Sequence, residues 1–233
     1  MEFNNTAINV DTKKLVRMAL IRFGGAILII SLILFLPAGT IKYWNAWLFI
    51  GALFIPVILV LIYLIKNDPE LLEKRMKTKE KEETQKLIIK LSFIPFIISF
   101  LTPGFDYRYQ WSAVPLWLVI IATVIMLIGY GMFFIVIRQN SYASRVVEVQ
   151  EKQKLIDTGL YSVVRHPMYL ANVIIYLSIP LVLGSYYSLL VISLFLVVFY
   201  FRIKNEEEVL KEGLEGYSDY MKKVKYRLIP YVW

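Results

Sequence analysis

Long apolar blocks separated by charged segments are the feature that most constrains the fold of this chain. Three of them, at positions 23–38, 46–65 and 114–137, contain no Asp, Glu, Lys or Arg. A run of ~20 apolar residues matches the thickness of the hydrocarbon layer of a bilayer. The mean hydropathy of +0.59 also exceeds what a soluble domain shows. The sequence therefore predicts an all-α polytopic transmembrane helical bundle with about five to six spans.

The remaining apolar blocks are shorter. The block at 87–101 is predicted to be tilted or only partly spanning, and a turn is predicted at Pro103–Gly104. The last two blocks, 168–183 and 189–201, are joined by Gly184–Ser188. So short a connection predicts a C-terminal antiparallel helix hairpin. The outer ends of such a hairpin meet on one side of the membrane.

Lysine and arginine lie almost entirely on one side of the predicted spans. Positions 1–22, 66–90, 138–167 and 202–233 together carry 24 of the 26 basic residues. Because basic residues concentrate in cytoplasmic loops, these segments and both termini are predicted to be cytoplasmic, in the plasma membrane. The first apolar block is too long for the core of a signal peptide, so no cleavable signal is expected.

The residue types that are rare here exclude several kinds of chemistry. The chain has no cysteine, and His166 is its only histidine. Thiolate nucleophiles, iron–sulfur clusters and ordinary zinc sites are therefore excluded, and no metal is expected. The net charge of +8 comes from clusters between apolar blocks. That distribution is typical of anchoring at an anionic leaflet, so membrane lipids and not nucleic acid are the expected partners.

Two polar stretches flank the predicted hairpin: 150–169 before it, and 202–210 followed by 216–230 after it. Because its ends meet, we expect His166 and Glu206 to be neighbours. Arg202 and Glu206 are spaced i, i+4 and share one helix face. Polar groups next to hydrocarbon are typical of functional sites. Two plainer interpretations remain: Arg165 extends to the lipid phosphates, and Arg202 with Glu206 forms a surface ion pair.

Two further patterns are interpreted structurally. Gly129–Tyr130–Gly131 lacks the third glycine of a dinucleotide loop and lies inside a span, so close helix packing is predicted there. The mixed Lys/Glu segment at 74–90 is predicted to be a solvated charged helix, although it could also bind anionic lipid heads.

The pattern G-x-Y-x-x-x-R-H-P-x-Y resembles membrane methyltransferases related to isoprenylcysteine carboxyl methyltransferase and phospholipid methyltransferase. It is formed by Gly159, Tyr161, Arg165, His166, Pro167 and Tyr169. R-x-x-x-E-E follows at 202–207, and then G-Y-x-x-Y and R-x-x-P within 216–230. The resemblance covers residues 150–230.

The resemblance implies that S-adenosyl-L-methionine is the cofactor and that it binds without a Rossmann domain. Carried over by position, the cofactor-binding residues are Gln150, Lys154, Leu155, Ile156, Tyr161, His166, Pro167, Met168, Tyr169 and Glu206. Arg202 is the implied substrate-binding residue, and Arg202, Glu206 and His166 are the implied catalytic residues. Residues 138–233 would then be the catalytic region of a single membrane domain. Residues 1–137 would supply the N-terminal helices and the cytoplasmic loop 66–90.

The resulting prediction is a methyltransferase whose lipophilic substrate reaches the site sideways from the bilayer. The methyl acceptor is either a carboxylate, as in an isoprenylcysteine-like molecule, or a lipid head group. A carboxylate needs only to be oriented, which Arg202 could do. An amine or hydroxyl also needs a base, and His166 or a glutamate would have to act.

Two other classes remain as alternatives. An NADPH-dependent membrane enone or sterol reductase has a related hairpin, but it should show more spans and additional basic residues for the 2′-phosphate. A small transporter or membrane scaffold is the non-enzymatic alternative. Transport favours ionisable residues at mid-span, whereas the charge here lies at one face. That distribution favours catalysis at the membrane interface.

Overall fold

The computed structural model describes residues 12–77, 80 and 82–233, and in these residues it contains helices but no strand. The α-helices are α1 (Thr12–Ala38), α2 (Trp44–Asn67), α3 (Pro69–Met76), α4 (Glu83–Tyr109), α5 (Leu116–Gln139), α6 (Pro167–Val182), α7 (Tyr186–Ile192), α8 (Leu194–Gly213) and α9 (Tyr217–Lys223). A 3₁₀ turn at Gly159–Ser162 interrupts the long segment between α5 and α6. The predicted all-α fold is confirmed.

Five segments are long and apolar enough to cross a membrane. They are Leu15–Ala38, Trp44–Asn67, Glu83–Tyr109, Leu116–Gln139 and Tyr186–Gly213. The last of these contains both α7 and α8. Helix α6 is apolar but has only 16 residues, which gives a length of ~24 Å. Five spans with a sixth, shorter helix agree with the predicted five to six.

Helix α4 differs from its prediction. It is 27 residues long and continues through Pro103 to Tyr109, so the turn predicted at Pro103–Gly104 is wrong. The helix ends instead at Gln110, whose φ of 56° is left-handed. Gly104 serves a helix crossing, because a Cβ there would lie 2.7 Å from the Leu34 carbonyl oxygen on α1. The helix is also longer than the predicted block at 87–101 and reaches the length of a span.

The C-terminal hairpin is present, with Leu183–Ser185 as its connection. Gly184 has a φ of +75°, a conformation that glycine adopts without strain. Helix α2 holds this connection from the side: the Tyr43 hydroxyl donates to the Leu183 carbonyl, and Asn45 Nδ2 donates to the Val182 carbonyl at 2.9 Å. We call this end of the bundle the far end.

A buried carboxylate completes the far end. Asp106 is 1% exposed and accepts hydrogen bonds from the backbone N–H of Ser112 at 2.7 Å and from its hydroxyl at 2.6 Å. The Ser185 hydroxyl donates to the same carboxylate and also accepts from Ser188 N–H at the start of α7. These bonds join α4, the loop that follows it, and the hairpin connection.

Close packing of α5 on α6 positions the hairpin against the rest of the bundle. A Cβ at Gly129 would lie 2.8 Å from Ile175 Cγ1, whereas a Cβ at Gly131 would meet open space. The predicted packing role is therefore confirmed for Gly129 and not for Gly131. The main core cluster lies beside this contact and is formed by residues of α1, α2, α4, α5 and α6 together with Tyr43 and Leu183.

Candidate active site

A cavity of about 890 Å³ lies opposite the far end, where α3, the segment 140–166 and the C-terminal tail meet. We call this the site end. One wall is the start of α6, and another is the last turns of α8. The two helices contact each other through aromatic rings, with Tyr169 on Phe199 at 5.7 Å and Tyr176 on Phe195 at 5.5 Å between centroids. Large side chains thus fill the space between the hairpin arms and leave the cavity beside them.

Glu207 is the most deeply buried acid of the site end, with 2% exposure. Its Oε1 accepts from Arg165 Nε at 2.7 Å, and its Oε2 accepts from Arg227 Nε at 2.8 Å. His166 Nε2 lies 3.3 Å from the same Oε1. A buried carboxylate with this many donors holds three segments of the chain together.

Backbone hydrogen bonds extend this clamp. The N–H groups of Arg165 and His166 donate to the carbonyls of Tyr226 and Arg227, both at 2.9 Å. The guanidinium of Arg165 also donates to the carbonyls of Val224 and Lys225. The tail therefore fixes the start of α6, where Pro167 occupies the first helical turn, a position that costs no backbone hydrogen bond.

Glu206, the neighbour of Glu207, lines the cavity. Its Oε2 accepts a hydrogen bond from the Tyr169 hydroxyl at 2.7 Å, and the same hydroxyl lies 3.4 Å from Arg202 Nε. Tyr169 thus links Arg202 and Glu206, which the i, i+4 spacing alone would have paired directly. The hairpin brings the start of α6 to Glu206 and Glu207 as expected, but the glutamate in contact with His166 is Glu207 and not Glu206.

Tyr161 closes a further wall of the cavity. Its hydroxyl accepts from Asn140 Nδ2 at 2.8 Å, and its carbonyl accepts from the Tyr220 hydroxyl at 2.7 Å. Burial raises the pKa of Tyr161 to about 12, so its phenol stays protonated at neutral pH. The ring is held in place by residues of two distant segments.

The cavity gathers nearly all the residues that the resemblance implied. Those that line it are Lys154, Leu155, Ile156, Tyr161, His166, Pro167, Met168, Tyr169, Arg202 and Glu206. Gln150 is not among the lining residues, and its side-chain amide donates to the Tyr142 carbonyl at 2.7 Å. The backbone N–H of Gln150 donates to Gln153 Oε1 at 2.9 Å.

Sequence reasoning missed Arg75, which lines the cavity from α3. Arg75 belongs to the segment 74–90, which was predicted to be a solvated charged helix, yet Leu71 and Leu72 just before it are buried. Arg75 lies four and three residues after them and therefore shares their buried face. That spacing was the signal available in the sequence. The structural importance of Glu207 and Arg227 was also missed, because it depends on contacts across distant segments.

An apolar arm of the same cavity extends between α1, α4 and α8. It is lined by Ile29, Ile30, Ile33, Phe93, Phe96, Ile97, Phe100, Phe195, Val198 and Phe199. Asn172 and Tyr176 of α6 also line the cavity and place polar groups along the same helix as Tyr169. The cavity therefore joins a charged end to an apolar arm.

The donor set of the cavity suits an organic cofactor. Across the described part of the chain, His and acidic side chains form no group of three or more that could hold a metal ion. Aromatic rings, apolar side chains, a carboxylate and guanidinium groups instead lie around one space. Such a set can contact a ligand that carries rings and charges of both signs.

Residues 117–215 match the family model of phospholipid methyltransferase. The match begins within α5 and includes α6, α7, α8 and the segment that carries Tyr161 and His166. The match confirms, over this region, the resemblance to phospholipid methyltransferases that the sequence motifs indicated. A comparison with curated proteins found no match.

The matched region leaves out two parts of the site. Arg75 lies before it, and the tail that carries Arg227 lies after it. The cavity is therefore completed by segments outside the matched region.

Proposed function

We propose that the protein is an S-adenosyl-L-methionine-dependent methyltransferase that acts on a lipophilic molecule taken from the bilayer. The observation that carries the proposal is the single cavity with a charged end at Glu206, Tyr169 and Arg202 and an apolar arm between α1, α4 and α8. A polar cofactor and the apolar part of a lipid have different solvent requirements, and this cavity meets both within one space.

The cofactor side is the wall formed by Tyr161, the start of α6 and residues 154–156. When bound, S-adenosyl-L-methionine supplies a methyl group on a positively charged sulfonium. Aromatic faces and a carboxylate stabilise a cation, and the Tyr161 ring and Glu206 provide both at this wall. Leu155 and Ile156 supply apolar contact for a ring system.

Arg202 and its surroundings form the acceptor side. Arg202 lines the cavity on α8, one turn from Phe199, which lines the apolar arm. A guanidinium orients a carboxylate or a phosphate by paired hydrogen bonds. An amphiphile with its apolar part in the arm would place its head group beside Arg202. This position suits both of the acceptors considered above, an isoprenylcysteine-like carboxylate and a lipid head group.

An amine or hydroxyl acceptor would need a base, and the structure favours Glu206 over His166 for that role. His166 Nε2 is 3.3 Å from Glu207, and the ring is 5% exposed. Glu206 is less buried than His166. The hydrogen bond described for its carboxylate comes from the Tyr169 hydroxyl, which can itself exchange a proton. Methyl transfer to an amine would release one proton, which Glu206 could accept directly or through Tyr169.

The site end is proposed to face the cytoplasm. The segments at this end carry most of the 24 basic residues that the sequence places on one side of the spans. Residues 1–11 lie outside the described part of the chain, so the placement rests on the other segments. We propose the plasma membrane as its location, with both termini at the cytoplasmic face.

The test is transfer of a radiolabelled methyl group from S-adenosyl-L-methionine by the purified full-length protein. Membrane phospholipids and prenyl-cysteine analogues are offered as separate acceptors. We expect label in one of these classes and a loss of at least about tenfold in Glu206→Gln, because a carboxylate that contacts cofactor or substrate is removed. Glu208→Gln is the matched control, since Glu208 is exposed on the same helix.

A thermal shift assay separates the alternatives. S-adenosylhomocysteine should raise the unfolding temperature of the wild type, because a ligand that binds only the folded state stabilises it. Stabilisation by NADPH without any effect of S-adenosylhomocysteine would overturn the proposal in favour of a reductase. No stabilisation by either compound, together with no label transfer, would favour a transporter or scaffold.

A further inference from the structure

Arg75 lies on α3, in the N-terminal half of the chain, and still reaches the cavity. Its Nη1 donates to the Ala143 carbonyl at 2.8 Å and lies 3.6 Å from Met168 Sδ. Its guanidinium also packs over the Phe133 ring, 4.9 Å from the centroid. The side chain is therefore fixed in one position next to the start of α6.

The charge of Arg75 has no carboxylate partner in the described part of the chain. Burial and, to a smaller extent, the charge of Arg145 lower its pKa to about 10, so the guanidinium remains charged at neutral pH. Arg145 lines the same cavity. Two cations that repel each other at a partly buried position favour an anion between them.

The acids at this end of the cavity are engaged elsewhere. Glu148 forms an ion pair with Lys77 at 3.7 Å, and Glu80 accepts from the backbone N–H of Val147 at 3.2 Å. The other acid that lines the cavity, Glu206, is bonded to Tyr169. An anionic ligand is therefore the partner that the Arg75 position lacks.

We propose that Arg75 binds the carboxylate of the amino-acid part of S-adenosyl-L-methionine, so that α3 completes the cofactor site. The inference rests on the proposed function. It follows from the place of Arg75: it touches Met168 on the wall formed by Tyr161 and the start of α6, whereas the apolar arm begins near Phe199 on α8. A phosphate of a lipid is the other anion with this chemistry, and the experiment separates the two sources.

Two ligands that differ only in the carboxylate provide the test. Isothermal titration calorimetry on the purified full-length protein in detergent would measure S-adenosylhomocysteine and its decarboxylated analogue. We expect the wild type to bind the first about 10- to 100-fold more tightly, since a charged hydrogen-bonded pair contributes that much. In Arg75→Gln the preference should disappear, because S-adenosylhomocysteine loses affinity while the decarboxylated analogue does not.

Two control variants accompany this measurement. Arg17→Gln removes the same charge from an exposed position of α1 and should keep the full preference. Arg75→Lys keeps the charge without the paired geometry and should restore part of the preference. This partial recovery would show that the effect is on the ligand and does not arise from a misfolded protein.

Each other outcome overturns the inference in a recognisable way. If the wild type binds S-adenosylhomocysteine but Arg75→Gln keeps the preference for the carboxylate, only the role of Arg75 fails. If Arg75→Gln instead weakens binding of lysophosphatidic acid, the anion is a lipid phosphate. If the wild type binds neither nucleoside, the inference and the proposed function fail together.

Discussion

The two ends of this bundle each bury one carboxylate almost completely, but the cavity described above lies at the site end. Asp106 at the far end is 1% exposed, and Glu207 at the site end is 2% exposed. Asp106 is bonded to two serine hydroxyls and a backbone N–H. Glu207 is bonded to two arginines and lies beside His166. At the far end the hydrogen bonds join α4, the loop after it and the hairpin connection. At the site end they fix the start of α6, which forms one wall of the cavity.

Deep burial of an acid therefore does not by itself mark a reacting group. Both carboxylates have their hydrogen-bonding capacity taken up by protein donors, which suits a structural role. Glu206, one residue before Glu207, is less buried and lines the cavity. The buried clamp at Glu207 supports the site, and the less buried neighbour is available to a ligand.

Removal of Glu207 should have the largest effect. Glu207→Ala leaves the buried Arg165 without its carboxylate, and we expect a loss of about 3–5 kcal/mol in the free energy of unfolding. Thermal unfolding in detergent would measure it, with Glu208→Ala as control. If Glu207→Ala unfolds at the wild-type temperature, the site end does not depend on this clamp.

Removal of Asp106 should cost less because its donors are neutral. Asp106→Ala leaves the Ser112 and Ser185 donors without their acceptor, and we expect a loss of about 2–3 kcal/mol. The affinity of the folded fraction for S-adenosylhomocysteine should not change, since the far end has no part in the cavity. A change in affinity with an unchanged unfolding temperature would contradict the contrast between the two ends.

The link between Arg202 and Glu206 should have a smaller and different effect. Tyr169→Phe removes the hydroxyl that contacts both residues while it keeps the ring on Phe199. We expect the affinity for cofactor or acceptor to fall about three- to tenfold, with a change in unfolding free energy of about 1 kcal/mol or less. Calorimetry and thermal unfolding would measure the two quantities side by side. Loss of stability without loss of affinity would make Tyr169 a structural residue.

An exposed ion pair at the same end should show the smallest effect. Lys223 Nζ lies 2.8 Å from Asp157 Oδ2, about as close as Arg165 is to Glu207, but these two side chains are 67% and 39% exposed. The hydrogen bond from Lys223 lowers the pKa of Asp157, although water screens the pair. Asp157→Asn should therefore unfold at the wild-type temperature at neutral pH. A clear drop would mean that distance matters more than burial here.

The sequence predicted the spans better than the ends of the helices. The block at 46–65 lies within α2, and the block at 114–137 begins two residues before α5 and ends inside it. These two predictions succeeded because an apolar run of this length can only be solvated by lipid. The turn at Pro103–Gly104 was wrong because the two residues were interpreted as local signals. In the folded protein α1 packs directly against Gly104, and this close contact is possible because glycine has no side chain.

Most of the residues that the sequence resemblance implied line one cavity at the open ends of the hairpin, and their role as a site stays a prediction. A hairpin with a three-residue connection brings the start of α6 to the end of α8, so the meeting of His166 with the acidic run follows from topology. The assignment within that run does not. Successive residues of a helix point ~100° apart, and only the packed neighbours decide which of residues 206, 207 and 208 faces the cavity.

The sequence by itself determined that this chain is a helical membrane protein with its charge gathered at one end. Those properties depend on hydrocarbon thickness and on local backbone bonding, which each segment satisfies alone. Only the tertiary structure decided that Glu207 is a clamp, that Glu206 faces the cavity and that Arg75 arrives from α3. These facts depend on contacts between residues far apart in the chain, and no local pattern encodes how two helix faces will meet.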